Sequence, residues 1–466
     1  MMRKSIGVWL LICCVLSMSL GSLQAAESNY ITTDQFAMQL NQLGKVGSKP
    51  VVGSNEVLTR EKAANMLIQY LNYPAISKKI GTKSSFTDVT TSKGDIELIS
   101  RLGIMSGVGN GLFSPKSTVS ESSSGAIIEK IKGKLQENAI WKHACYAISS
   151  SNQMDWLKDY NAVSFGWAEV QEANGSFNVT TLGNSFKVPN AFQTPLDLAK
   201  ANNVETYLMI YFDGTGSKAQ SLLNNPDQRS KVITQIVTLA NGLTKDNETR
   251  SFDGVTIDFE RLVGSELKAP YVSFLNELSL ALKVCNKKMN VAVQPTLYYK
   301  GYDYKEIGNL ADHVILMAHD YGTKSLSLNE QQTGMTTTPL TPIDSVYLAL
   351  IDAKEAIEDT HKITLQFSFA SLQWQKQNGA VLNSKAYTPS YDKIEARIQM
   401  PGTVTKFNEY DQSSYATYEE NGITNVIWYE DEKSIQAKMD LAKLLGINSF
   451  SYWRLGNIPN EIRGLY

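Results

Sequence analysis

Residues 251–262 read SFDGVTIDFERL. Val255, Ile257 and Phe259 alternate with Thr256, Asp258 and Glu260, the period of two that a strand shows when its faces meet different surroundings. The apolar set is expected to face a helix layer. The other set points two carboxylates inward, where desolvation makes charge costly. Asp258 and Glu260 stand two residues apart and so on one side of the strand, and at the C-terminal end of a barrel strand such a pair suits proton transfer. The alternative is a salt-bridged or solvated strand end.

Working outward, apolar strands alternate with amphipathic helices from His143 onward, the signature of a parallel sheet. Strands are expected at 143–149, 162–167, 205–211, 254–260, 289–294, 313–319, 363–369 and 449–454, with helices at 228–242, 271–284, 343–358 and 434–445. Eight such units over 142–466 suit an α/β (β/α)8 barrel, whose reaction centre lies at the C-terminal ends of the strands. An open doubly wound sheet is the alternative, but no glycine-rich phosphate loop follows the first strand. A small α+β insertion is expected between strands seven and eight, from Gln373 to about Thr424, with a hairpin turn at Asn421-Gly422. Its rings, Trp374, Tyr387, Tyr391, Phe407, Tyr410, Tyr415 and Tyr418, either wall the barrel mouth or form the insertion's own core.

The 466 residues carry 44 basic and 46 acidic side chains, a formal charge of −2, which lacks the basic face of a nucleic-acid binder. At the start, Arg3 and Lys4 precede an apolar run to about Leu20 and small residues around Ala25 and Ala26, the pattern of a secretory signal peptide over 1–26. A retained membrane anchor is disfavoured because the run is shorter than the roughly 20 residues a span needs. A lipoprotein signal at Cys13 or Cys14 lacks the small residues it requires. After cleavage only Cys145 and Cys285 remain, too few for a disulfide scaffold, although one bridge between them stays open. His143, His313, His319 and His361 show no metal-ligand spacing, so neither metal nor cofactor is expected.

Residues 27–135 read as small helices and turns with an internal echo, 28–76 and 86–133. In the first unit Thr59 is a helix N-cap, and Ala63, Met66, Leu67 and Tyr70 follow at helical spacing. In the second, FTDV (86–89) leads to GIMSGVGNGLFSPKSTVS (103–120), with Gly107, Gly109 and Gly111 in one turn. These residues resemble S-layer homology repeats, which implies a wall-anchoring module with a secondary cell-wall polymer as partner. By that resemblance Thr59, Arg60 and Glu61 carry the polymer contact, whereas the second unit has Val119-Ser120-Glu121-Ser122 there and lacks the arginine.

DGVTIDFE (253–260), LMAHDYG (316–322) and SYWRLG (451–456) resemble the family 18 glycoside hydrolases, and the stretch VIWYEDEKSIQAKMDLAKLLGINSFSYWRLG is similar to their spore cortex-lytic and peptidoglycan N-acetylglucosaminidase branch. The resemblance implies that Glu260 is the general acid and that Asp258 orients the substrate's N-acetyl group, whose oxygen serves as nucleophile. Two adjoining carboxylates also oppose double ionisation, which retains a proton for such an acid. Asp320, Met317 and Trp453 match substrate-binding positions, and Asp253, His319 and Thr256 are placed with them. Two positions depart from the pattern: Thr256 stands where the family has an aspartate, and His319 where it has a tyrosine. The implied protein is an exported, monomeric hydrolase of peptidoglycan or a chitin-like polysaccharide, with no membrane span once the leader is removed. A chitinase and an amino-sugar-binding lectin-like barrel are the alternatives.

Overall fold

The computed structural model describes residues 30–44 and 50–465; the expected leader at 1–26 lies outside them. Eight strands form the centre: β1 (Trp141–Tyr146), β2 (Ala162–Ala173), β3 (Glu205–Asp213), β4 (Gly254–Glu260), β5 (Lys288–Val293), β6 (His313–Leu316), β7 (Ile363–Ser368) and β8 (Ser449–Trp453). Each pairs in parallel with the next in sequence, and β1 pairs with both β2 and β8, so the sheet closes into a barrel. Closure leaves the cylinder without an edge strand. Helices Pro226–Asn241, Lys268–Val284, Ile343–Ala356 and Glu432–Leu444 cover the outside, within two or three residues of the sequence expectation.

Branched residues commonly fill such a barrel. Here the inward positions carry polar groups instead: His143, Ser164, Thr256, Asn290, Thr364, Gln366 and Ser451 are all buried. Below them, toward the N-terminal ends of the strands, Trp141, Ala162 and Tyr207 make an apolar plug. The His313 ring stacks on Trp141 at 3.7 Å and closes the floor.

The insertion after β7 is a five-stranded antiparallel sheet with one helix, Tyr391–Ile398. Asn421 and Gly422 both take positive φ (52° and 74°), and Glu420 pairs with Ile423, the two-residue hairpin that an Asn-Gly pair favours. The sheet runs to Tyr429, beyond the expected end near Thr424, because Ile423–Tyr429 is itself a strand. Three of the insertion's seven rings pack into its small cores: Trp374 is fully buried and donates to Thr338 Oγ1 at 2.8 Å, Tyr418 is buried too, and Tyr415 packs partly buried beside Trp428. Tyr387 and Tyr410 stay exposed.

The N-terminal region folds as five helices, Thr33–Gln42, Arg60–Leu71, Pro74–Ile80, Lys93–Arg101 and Glu121–Gln136, and its apolar side chains are continuous with the barrel's outer core. Helix Pro74–Ile80 packs on Ile343–Ala356, and Glu121–Gln136 packs on Glu432–Leu444. Polar contacts reinforce this seam: Asn72 Nδ2 donates to Glu409 at 2.8 Å, Arg101 pairs with Glu355 at 3.0 Å, and Lys134 donates to the Leu444 carbonyl at 2.8 Å. Cys145 and Cys285 are both free thiols; Cys145 is buried, whereas Cys285 is only partly so.

Candidate active site

Strand β4 delivers Thr256, Asp258 and Glu260 to the barrel interior, as the alternation demands, with Glu260 at the C-terminal rim. The rim is held from both sides. The Glu260 carbonyl accepts from Gly214 N at 3.0 Å, Tyr302 donates to the Phe259 carbonyl at 2.6 Å, and Gln294 Oε1 accepts from Arg261 N at 2.6 Å. Around this end lies a pocket of about 90 Å³ lined by Thr256, Asp258, Glu260, Met317, His319, Asp320, Gln366 and Trp453 among others. Seven of the residues expected from sequence therefore meet in one place.

Asp258 is 4% exposed, and its Oδ1 is buried with no hydrogen-bond partner. Burial, and then the charge of Glu260, push its carboxyl well above the usual range. Glu260 moves the same way: burial dominates, Asp320 and Asp213 add to it, and His319 and Arg261 oppose it.

The chain leaves β6 at Leu316 and turns, so His319 and Asp320 lie in a loop rather than on the strand expected to reach residue 319. Asp320 sits in the left-handed region at φ 62°, which a short polar side chain tolerates. This turn points both side chains into the pocket. His319 Nδ1 lies 3.8 Å from Asp320 Oδ2, an ion-pair separation, and Lys324 Nζ lies 3.7 Å from the same oxygen. Burial disfavours an ionised Asp320, yet His319 and Lys324 overcome it and bring its pKa down to about 2. For His319, burial disfavours the imidazolium, but Asp320, Gln366 and Glu260 together carry its pKa above the ordinary histidine value.

Asp253 does not join them. It precedes β4 at the opposite end of the barrel, where its Oδ2 accepts from Thr206 N at 2.8 Å and Thr206 Oγ1 at 3.0 Å. Seven residue steps along the chain, roughly 3.3 Å each, separate it from Glu260. Asp253 lines a larger cavity of about 740 Å³ at that end. Four charges there are paired, Arg250 with Asp197 at 2.7 Å and Glu205 with Lys288, whereas the smaller pocket gathers the closely spaced Asp258, Glu260 and Asp320. Gln366, on the inward face of β7, is a pocket residue that sequence reasoning missed; a lone amide inside an apolar strand was the available signal.

In the N-terminal region Thr59 Oγ1 caps its helix by accepting from Lys62 N at 3.3 Å, as expected. Arg60 turns inward: Nε donates to the Phe113 carbonyl at 2.8 Å, NH2 donates to the Ser106 carbonyl at 2.5 Å, and the guanidinium lies 4.4 Å from the centre of the Phe113 ring. Glu61 accepts from Thr91 Oγ1 at 2.5 Å.

Comparison with known proteins adds family to geometry. The S-layer homology domain matches residues 85–121. The cortical fragment-lytic enzyme of Bacillus anthracis is 25% identical over 248 residues, covering 50% of this chain and 52% of that enzyme, and the chain spans about half the length of most curated relatives it matches. Among solved structures, the spore cortex-lytic enzyme SleL of Bacillus cereus superposes with a TM-score of 0.55 at 20% identity, over 71% of this chain and 74% of that one. A chitinase from Chromobacterium violaceum also reaches 0.55, at 19% identity over 70% and 97%. These two likenesses speak to the fold. The family model of the glycosyl hydrolases family 18 matches residues 142–457, well over half the chain, and the chain belongs to that family.

Proposed function

We propose that this protein is an exported, cell-wall-associated hydrolase that cleaves β-1,4 linkages of an N-acetylglucosamine-containing polymer, with peptidoglycan as the favoured substrate. One observation carries the reading: the general-acid candidate Glu260 and the buried Asp258, whose Oδ1 has no partner, line one pocket beside Asp320 and Trp453. The match to a glycoside hydrolase family supports the reaction class, and the cortex-lytic relatives favour peptidoglycan over chitin. The S-layer homology match and the leader-like start support a cell-surface location. Among the described residues, no helix is long and apolar enough to cross a membrane.

In this reading Trp453 floors the subsite of the sugar whose bond breaks. Glu260 gives its proton to the glycosidic oxygen as the bond to the anomeric carbon lengthens. The acetamide oxygen of the same sugar closes on that carbon, while Asp258 accepts the acetamide N–H through Oδ1. Water then opens the ring so formed and returns a proton to Glu260, with net retention of configuration. Substrate assistance of this kind dispenses with a carboxylate nucleophile.

The test is turnover of the mature protein on muropeptide-bearing glycan and on chitin oligomers, with Glu260→Gln alongside. The variant is expected to bind and to lose about 10²- to 10⁴-fold in kcat. Equal turnover by the variant rejects the acid assignment, and turnover of chitin alone moves the substrate to the chitinase alternative. Binding without turnover by the wild type supports the lectin-like alternative.

A further inference from the structure

One hydrogen-bonded chain crosses the barrel beneath the pocket, touching five strands and the loop after β6. Thr256 Oγ1 and Ser164 Oγ are 2.6 Å apart, Ser164 Oγ and His143 Nε2 2.7 Å, and His143 Nδ1 and Ser451 Oγ 2.7 Å. Gln366 Nε2 donates to Ser451 Oγ at 3.1 Å, and Gln366 Oε1 lies 2.9 Å from His319 Nε2. The parallel register aligns Gln366, Ser451 and His143 across three strands, which is why a side-chain chain can run between them.

The donors can be assigned by elimination. His143 is fully buried, its pKa is pushed down to about 3 by burial and then by His313, and it is neutral, with one N–H. Ser451 Oγ receives the Gln366 amide, so its own hydrogen goes to His143 Nδ1. The imidazole hydrogen of His143 therefore sits on Nε2 and goes to Ser164, whose hydroxyl donates to Thr256. At the other end Gln366 offers only its carbonyl oxygen to His319, which must bring a hydrogen on Nε2. With the second Gln366 amide hydrogen directed at Cys145 Sγ, 3.8 Å away, this order satisfies the hydrogens from His319 Nε2 to Ser164.

We propose that His143, Ser451 and Gln366 are positioning residues that hold His319 with its Nε2 hydrogen on Gln366 and its Nδ1 turned toward Asp320. A neutral His319 held this way would aim a lone pair at a carboxylate, so the relay favours a second proton on Nδ1. His319 then presents an imidazolium between Asp320 and the reacting carboxyl groups. The charged and titratable groups facing it are Asp320 on its own loop, with Lys324 behind, and Glu260 and Asp258 on β4; β7 contributes the neutral Gln366. The relay depends on neither a metal nor a substrate, but its catalytic consequence rests on the hydrolase reading above.

The experiment is a long-range proton–nitrogen spectrum of the full chain labelled at histidine, which has only four histidines, with His319→Gln identifying the signal. Wild-type His319 is expected to be protonated at Nε2 across the titration, gaining Nδ1–H as pH falls. Gln366→Leu and His143→Leu, the latter without touching His319, are expected to let both neutral tautomers appear. Both variants are expected to lower kcat by about 10- to 100-fold with little change in KM, and to shift the pH profile. A wild-type signal protonated at Nδ1 alone, or variants with wild-type tautomer and pH profile, overturns the proposal. If no amino-sugar polymer is turned over, the hydrolase reading fails while the spectrum still decides the relay, and the wild-type spectrum suffices where a variant does not fold.

Discussion

His319 stands where a neutral phenol is usual in the family, and its positive charge pulls the Glu260 pKa down against the effect of burial. If Glu260 is the acid, as proposed above, it must hold its proton to act, and turnover is expected to fall as pH rises through its raised pKa. Replacing His319 by tyrosine removes the opposing charge and lifts that pKa further, so His319→Tyr is expected to move the alkaline limb of the kcat profile to higher pH; a shift to lower pH would contradict this account. Arg60 also has a structural task beyond any polymer contact, since it ties the first unit to the turn at 106–113. Arg60→Ala is expected both to reduce sedimentation with purified cell walls and to speed amide exchange in that turn. At this scale the sequence was legible where residues repeat at period two, as Asp258 and Glu260 do. It misled at Asp253, because a motif's letters do not reveal that its first residue precedes the strand at the far end of the barrel. For Gln366 it offered only a lone amide in a mostly apolar strand, which sets no repeating pattern.

The eight strands were legible because each is a short apolar run bounded by turn residues. The far edge of the insertion was not, because Ile423–Tyr429 has the composition of a barrel strand and only pairing distinguishes it. Two features should govern that element's stability. Gly422 holds φ 74° at the hairpin, so Gly422→Ala is expected to cost about 1–2 kcal/mol by urea denaturation. Below the sheet, Lys438 and Glu430 form a fully buried pair at 3.0 Å, with Lys438 also donating to the Gln412 carbonyl at 2.7 Å. Lys438→Met strands the carboxylate, and a loss of about 3–5 kcal/mol is expected; replacing both partners with apolar residues should recover much of it.

For the whole molecule, the N-terminal helices sit on the flank of the barrel and share its outer core. Removing residues 30–136 would uncover apolar faces of helices Ile343–Ala356 and Glu432–Leu444, so the remaining chain is expected to melt at a lower temperature than the intact one in calorimetry. Unchanged melting would mean that the seam adds nothing to stability. No reading of periodicity could foresee this docking, because complementary faces on distant helices carry no signal along the chain. The stacked Trp141 and His313 rings at the base of the barrel carry a further implication. A cylinder stoppered at one end is a vessel with a single door: on the proposed function a long glycan would lie across the opening rather than thread through, and its fragments would leave the way they came.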